Sequence, residues 1–218
     1  MGRAKIKRGS TNIDMTAMCD VAFLLLSFFI LTTKFKPAEA VDVTPPSSVS
    51  SKAAPQKDAF TVSIDKLGRI FIDMSDEMKG DVINALGTVR GIKFSDEDVK
   101  AFKLATFVGA PINQLNQFDR LTPEQLKTVK LEGIPADSAN NELRDWIYAA
   151  KKVYGDKGGK INFLIKGDDN AKYPAFKSVI EAFKKNDQFK YLLITNPESI
   201  PSGSELEKLG IKKEQETE

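Results

Sequence analysis

No histidine occurs anywhere in the 218 residues. That removes the imidazole base of a nucleophile–His pair and the commonest nitrogen ligand of zinc. Cysteine occurs once, as Cys19, so neither an intrachain disulfide nor a cysteine metal cluster can form. Cys19 opens an apolar run and reads as a small hydrophobe; a lipid-anchor cysteine would follow such a run. An excess of one charge sign is also missing. Lys and Arg number 32 against 30 Asp and Glu, a net charge of +2. A nucleic-acid-binding chain concentrates its basic charge more strongly, so no nucleic-acid partner is expected. No arrangement of nucleophile and base suggests an enzyme, and no cofactor or metal is expected. Gly155–Gly159 lacks the spacing and the closing Lys-Ser/Thr of a phosphate loop.

What the chain does have is one long apolar stretch, Met15 to Thr33, interrupted by a single charge, Asp20. As a helix rising about 1.5 Å per residue it spans roughly 28 Å, close to the hydrocarbon thickness of a bilayer. A charged side chain at the centre of a membrane helix costs about 2.5–3.5 kcal/mol on insertion scales. Moving a proton or an ion is the usual reason to bear that cost.

Basic residues precede the stretch: Arg3, Lys5, Lys7 and Arg8. A basic start before an apolar run also describes a cleaved signal peptide, and Ala38-Glu-Ala40 resembles a cleavage site. Asp14 and Asp20 oppose that reading, as do Lys34 and Lys36 and the distance from Leu31 to Ala40. The residues favour a retained span. The balance of flanking Lys and Arg places the amino end in the cytoplasm and the remainder across the membrane.

At about 100° per residue, Thr16, Asp20 and Ser27 fall within about 40° of one another. Leu24 and Leu31 extend that stripe, while Phe23, Leu25, Phe28, Phe29 and Ile30 cover the rest. A polar stripe holding one acid suggests helix packing around a small aqueous path. Thr16 lies one turn from Asp20, within hydrogen-bonding reach. Asp14 falls at the helix start, where a carboxylate favours the dipole.

The run Asn12-Ile-Asp-Met-Thr16-Ala-Met-Cys-Asp20-Val-Ala-Phe-Leu-Leu-Leu resembles the ExbD/TolR family, whose motif is Asn-x-Thr-Pro-x-x-Asp-Val followed by an apolar helix. Thr16, Asp20 and Val21 occupy matching positions. Ala17 replaces the family's Pro, and Asp14 stands where Asn is usual. Lys160-Ile-Asn-Phe-Leu-Ile through Lys190-Tyr-Leu-Leu-Ile-Thr195 is similar to the family's closing strand–helix–strand. The likeness covers roughly residues 12–90 and 158–196, with 93–157 read as a helical insertion.

The resemblance implies a subunit of a proton-driven inner-membrane motor of the ExbB–ExbD or TolQ–TolR type. It implies a dimer with a second copy, held inside an ExbB/TolQ-type ring of multi-span subunits and driving a TonB/TolA-like transducer. Asp20 is then the proton carrier, with Thr16 and Ser27 as the supporting polar face. The alternative is a membrane-tethered periplasmic adaptor or binding module without energy coupling.

The expected organisation is a cytoplasmic tail (1–14), a transmembrane helix (15–33), a Pro/Ser-rich linker (34–57), a periplasmic α+β domain (58–196) and a polar tail (197–218). The linker holds Pro45-Pro46 and Ser47-Ser48-Val-Ser-Ser51 and has little capacity to form a core; Val41–Thr44 could pair as a strand with a second copy. Phe60–Ile64, a turn at Asp65–Gly68 and Arg69–Asp73 predict a β-hairpin. Helices are predicted over 81–89, from Ser95 to about Thr106, from a capping box at Thr122–Gln125, and from Ser138 to Tyr154. Ile161–Ile165, Tyr173–Lys185 and Tyr191–Thr195 predict a β-α-β unit. Trp146, Tyr148 and Phe118 read as core of the enlarged domain or as an aromatic docking patch. Gly167-Asp-Asp-Asn170 reads as a strand-to-helix turn rather than a cation site.

Overall fold

The computed structural model describes residues 15–32, 41–50, 52–55, 57–118, 125, 129, 131–137, 140–205 and 207. Asp14, Thr122 and Ser138, each expected at a helix start, lie outside the described residues. The chain divides into two compact units, 1–38 and 39–218. In the first, helix α1 (Met15–Thr32) is mostly apolar, with a mean hydropathy of 2.0, long and apolar enough to cross a membrane.

The second unit is α+β. Its main sheet has the order β3-β2-β4-β5, built from β2 (Ala59–Ile64), β3 (Ile70–Met74), β4 (Asn162–Gly167) and β5 (Leu192–Leu193). β2 pairs antiparallel with β3 and parallel with β4, which pairs parallel with β5. Ala59-Phe-Thr-Val-Ser-Ile64 alternates, so Phe60, Val62 and Ile64 are fully buried on one face. The register sets Phe60 opposite Phe163 and Met74, and Val62 opposite Ile165 and Ile72.

The hairpin turn is held by its acid. Asp65 Oδ1 accepts from the backbone N–H of Leu67 (3.0 Å) and of Arg69 (2.8 Å), and Oδ2 accepts from Arg69 Nε (2.7 Å). These bonds let a carboxylate sit buried. Gly68 adopts φ 81°, a left-handed conformation that costs glycine little. Arg69 Nη1 then reaches the carbonyl of Leu131 (2.8 Å), tying the hairpin to the region expected as an insertion.

Helix α2 runs from Asp76 to Arg90, starting five residues earlier than the 81–89 expected. Gly80 lies in the added turns, and a Cβ there would lie 2.3 Å from Lys103 Cε of the next helix, whose flexible side chain would have to shift. Asp76 and Glu77 in the first turn favour the helix dipole, and Gly91 at φ 69° closes the far end. Helix α3 (Asp96–Leu104) starts where expected: Ser95 and Asp98 form a reciprocal capping box. It stops short of Thr106 because Ala105 turns extended. The buried Lys79 ammonium reaches Asp76 (2.6 Å) and the Ala105 carbonyl (2.6 Å), placing a cation at the C-terminus of α3.

A 3₁₀ turn (Ile112–Gln114) leads into the short α4 (Leu115–Phe118). Helix α5 (Glu142–Asp156) begins at Asn141, whose side chain accepts from Arg144 N–H (2.9 Å). It runs through Gly155 instead of ending at Tyr154, and Gly159 N–H closes back on the Tyr154 carbonyl (2.9 Å). Helix α6 (Tyr173–Lys184) carries Pro in its first turn.

α5 packs against α2 and α6. Its Leu143, Trp146, Ile147 and Ala150 enter the same core as Phe60, Leu86, Phe163 and Phe183. Trp146 is fully buried and stacks on Phe102 of α3 (centroids 5.7 Å apart, 17° between planes). Phe118 is buried in a second, smaller cluster with Phe71, Phe107 and Ala110, fed by the other side of β3. The Ile72 and Val108 backbones exchange hydrogen bonds beside β3 (2.9 and 2.8 Å). Trp146 and Phe118 are therefore core, and Tyr148 stays half exposed.

The stretch 34–57 is not free linker throughout. Val43 is buried, and β1 (Ser47–Ser48) pairs parallel with β6 (Asn196–Pro197) of the same chain. β5 is correspondingly shorter than Tyr191–Thr195: after Ile194 the backbone leaves the sheet and turns to β1.

Phe102→Ala removes a fully buried ring and is expected to destabilise the fold by about 3–5 kcal/mol. Trp146, the single tryptophan, reports the loss in urea unfolding followed by fluorescence. Tyr148→Ala should change stability by less than about 0.5 kcal/mol. Equal midpoints for the two variants would contradict this core assignment.

Candidate functional site

α1 carries the lone acid. Thr16, Asp20 and Ser27 all lie on this helix, with Thr16 one turn before Asp20 and Ser27 roughly 10 Å beyond it along the axis. Ser27 Oγ donates to the Leu24 carbonyl (2.9 Å), and Thr32 Oγ1 donates to that of Phe28 (2.7 Å). Hydroxyls in apolar helices bond back in this way because no water competes for the proton. Ser27 therefore offers only lone pairs to the stripe. No basic residue, and no acid besides Asp20, lies between Met15 and Thr32. The apolar side chains of α1 are all exposed, leaving its whole length for lipid or partner helices.

In the α+β unit, the Gly167–Asn170 turn clamps the strap that precedes β1. Asp168 Oδ2 accepts from Thr44 N–H (2.9 Å), and Oδ1 accepts from Asn170 N–H (2.9 Å). Asp169 N–H in turn donates to the Thr44 carbonyl (2.9 Å). Farther along, Asn196 Nδ2 donates to the Pro45 carbonyl (2.9 Å) and Asn196 N–H to that of Pro46 (3.0 Å). The bonds from Thr44 and Asn170 hold the Asp168 carboxyl below its usual range, because backbone N–H donors favour its charged form. Among the described residues, no group of three His, Cys, Asp or Glu is placed to hold a metal ion. Gly155–Gly159 is the C-terminal cap of α5, with Gly158 at φ 68°.

Sequence reasoning missed the strap. Its only local signal was Val41-Asp-Val-Thr44, which could pair with a second copy; within one chain Thr44 bonds Asp168 and Asp169. It also missed Asp145, which sits between Arg90 of α2 and Arg144 of α5. Nothing near Asp145 in sequence points to Arg90.

A candidate membrane helix bearing a single acid, joined to a small α+β unit, defines the class of this protein. The sequence pattern of the family described as biopolymer transport protein ExbD/TolR matches residues 7–198, so the chain belongs to the ExbD/TolR family. That span takes in residues 93–157. The chain is 34% identical over 73 residues to the biopolymer transport protein exbD2 of Vibrio cholerae, an alignment covering 34% of this chain and 54% of that protein. The chain thus spans about half the length of that curated relative. No solved structure matches it.

The strap should respond to pH. With its pKa depressed on folding, Asp168 contributes stability fully above its unfolded value, near 3.8, and loses it as pH falls through the lower folded value. Asp168→Ala at neutral pH should raise amide exchange at Thr44, Asp169 and Asn196, and the wild type should reach that state only in strong acid. Unchanged protection of Thr44 in the variant would rule out the clamp.

Proposed function

We propose that this chain is the proton-carrying subunit of a motor of the ExbB–ExbD or TolQ–TolR type, using the proton motive force to energise TonB-dependent or Tol-type transport across the cell envelope. Membership of the ExbD/TolR family supports this reading. The single observation that carries it is Asp20, one ionisable group in an otherwise uncharged helix long enough to span a bilayer.

In this proposal Asp20 takes a proton from one side of the membrane and releases it to the other. Protonation cancels the charge, so the polar face can pass apolar surface; release of the proton restores the charge and the preference for a wet or polar neighbour. Each elementary charge crossing the potential supplies about 2.3 kcal/mol per 100 mV. Thr16 and the Ser27 lone pairs line the same face. α1 holds no basic residue, so the groups that hand over and receive the proton come from an ExbB/TolQ-type ring, from a second copy of the chain, or from water.

The span would sit in the bacterial inner membrane with its amino end cytoplasmic and the α+β unit periplasmic, where a TonB- or TolA-like transducer receives the motion. Residues 34–57 would tether the two units, shortened wherever the strap is docked. The subunit itself catalyses no covalent chemistry.

Asp20→Asn keeps size and polarity but cannot titrate. It should abolish energised uptake in cells while the variant still copurifies with its multi-span ring; Asp20→Glu should retain part of the activity. Full uptake by the Asn variant would refute the proton role. Absence of any ring partner from detergent extracts of wild-type membranes would favour a tethered adaptor instead.

A further inference from the structure

The end of α2, the start of α5 and the residue that follows α6 meet around a hollow of about 320 Å³. Its lining is almost wholly polar: Arg90, Asn140, Asn141, Arg144, Asp145 and Lys185. Asp145 is only 6% exposed. Arg90 Nε meets its Oδ2 at 2.5 Å, and Arg144 Nε meets its Oδ1 at 3.1 Å. One buried carboxylate thus orients two guanidinium groups. Contact through Nε leaves the far amino edge of each planar fork turned away from Asp145. Both arginines remain partly open to solvent, and Lys185 is exposed.

Three cations face one anion here, an excess of two positive charges in a small concave space. Arg90 lies in the last turn of α2 and Lys185 caps α6, so the carbonyl ends of those helices offset part of that excess. In the first turn of α5, Glu142 and Leu143 N–H donate to the Pro135 carbonyl, and Arg144 N–H donates to Asn141 Oδ1. Recognition at this hollow therefore falls to side chains. Drug-sized ligands favour mainly apolar pockets of roughly 300–1,000 Å³. A site at the small end of that range, and polar, suits a compact ion. Arginine forks match the oxygens of phosphate, and a phosphate monoester carries about −1.5 to −2 charge near pH 7, where a carboxylate carries one.

We propose that this hollow is a binding site for a phosphate-type oxyanion, either free phosphate or the phosphomonoester headgroup of a lipid. Asp145 is its positioning residue, Arg90 and Arg144 supply the forks, and Lys185 adds a mobile charge.

The test uses the full-length protein in neutral detergent micelles, titrated with sodium phosphate at constant ionic strength. The readouts are the Nε–H signals of Arg90 and Arg144 and the amide signals of residues 141–145. Saturable shifts are expected with phosphate and not with sodium chloride or sodium acetate. Lys185→Gln, at an exposed position, should leave the fold intact and weaken phosphate binding several-fold. Arg144→Gln should weaken it at least about tenfold, as loss of a charge-assisted hydrogen bond requires. Short-chain phosphatidic acid added to the micelles separates the two sources: competition with phosphate assigns a lipid headgroup, and its absence assigns the free ion. A response shared with chloride, no saturable shift, or unchanged affinity in both variants would overturn the site.

Discussion

Parallel pairing of β2 with β4 is the constraint on which the α+β unit depends. It sets Phe60 beside Phe163; β3 brings the chain back to the starting end of β2, and the segment between Met74 and Asn162 must then cross over β2 before β4 begins. The entropy of closing such a loop rises only with the logarithm of its length, so a long crossover is tolerated. Here the crossover also supplies core. Leu86 and Val82 come from α2, Phe102 from α3, and Trp146 and Ile147 from α5, all onto the face made by Phe60, Val62 and Ile64. A chain of rings continues across the strands, with Phe60 on Phe163 (5.6 Å), Phe163 on Phe183 (5.3 Å) and Phe183 on Tyr191 (5.7 Å). The paired strands and the packed helices therefore stand or fall together.

Four aspartates show how the chain manages charge. Asp65 is satisfied by turn amides and Arg69, Asp145 by two arginines, and Asp168 by the amides of Thr44 and Asn170. Each of those carboxylates has its partners supplied within the α+β unit, and each holds elements together. Asp20 lies on a helix that supplies no basic group between Met15 and Thr32. In hydrocarbon such an acid must look outside its own helix, which is a requirement for assembly or for solvent access. The three carboxylates of the α+β unit are thus satisfied by groups within it, whereas α1 supplies Asp20 with no basic residue.

The most legible parts of the sequence were those whose cause is local. The hairpin followed from alternation and a Gly68 turn, and α3 from Ser95 with acids behind it. Asp20 stood out because one charge breaks an apolar run. The start of α2 was placed five residues late; Gly80, in the added turns, packs beside the Lys103 side chain of another helix. The strap was read as linker because Pro and Ser have little packing value; what docks it is Asp168 and Asn196, far along the chain. The orientation of the Ser27 hydroxyl toward its own backbone follows from helix geometry in apolar surroundings, which a helical wheel does not show.

The sequence by itself determined the apolar helix, its single acid, the α+β class and the resemblance to the ExbD/TolR family, because hydropathy, periodicity and short motifs act between residues a few positions apart. Only the tertiary structure decided that Trp146 and Phe118 are core, that residues 44–48 dock on residues 168–169 and 196–198, and that Arg90, Asp145 and Lys185 share one hollow. Those outcomes come from side chains and backbone groups separated along the chain, and only the pairing of β2 with β4 and the packing of the crossover helices bring them within reach of one another.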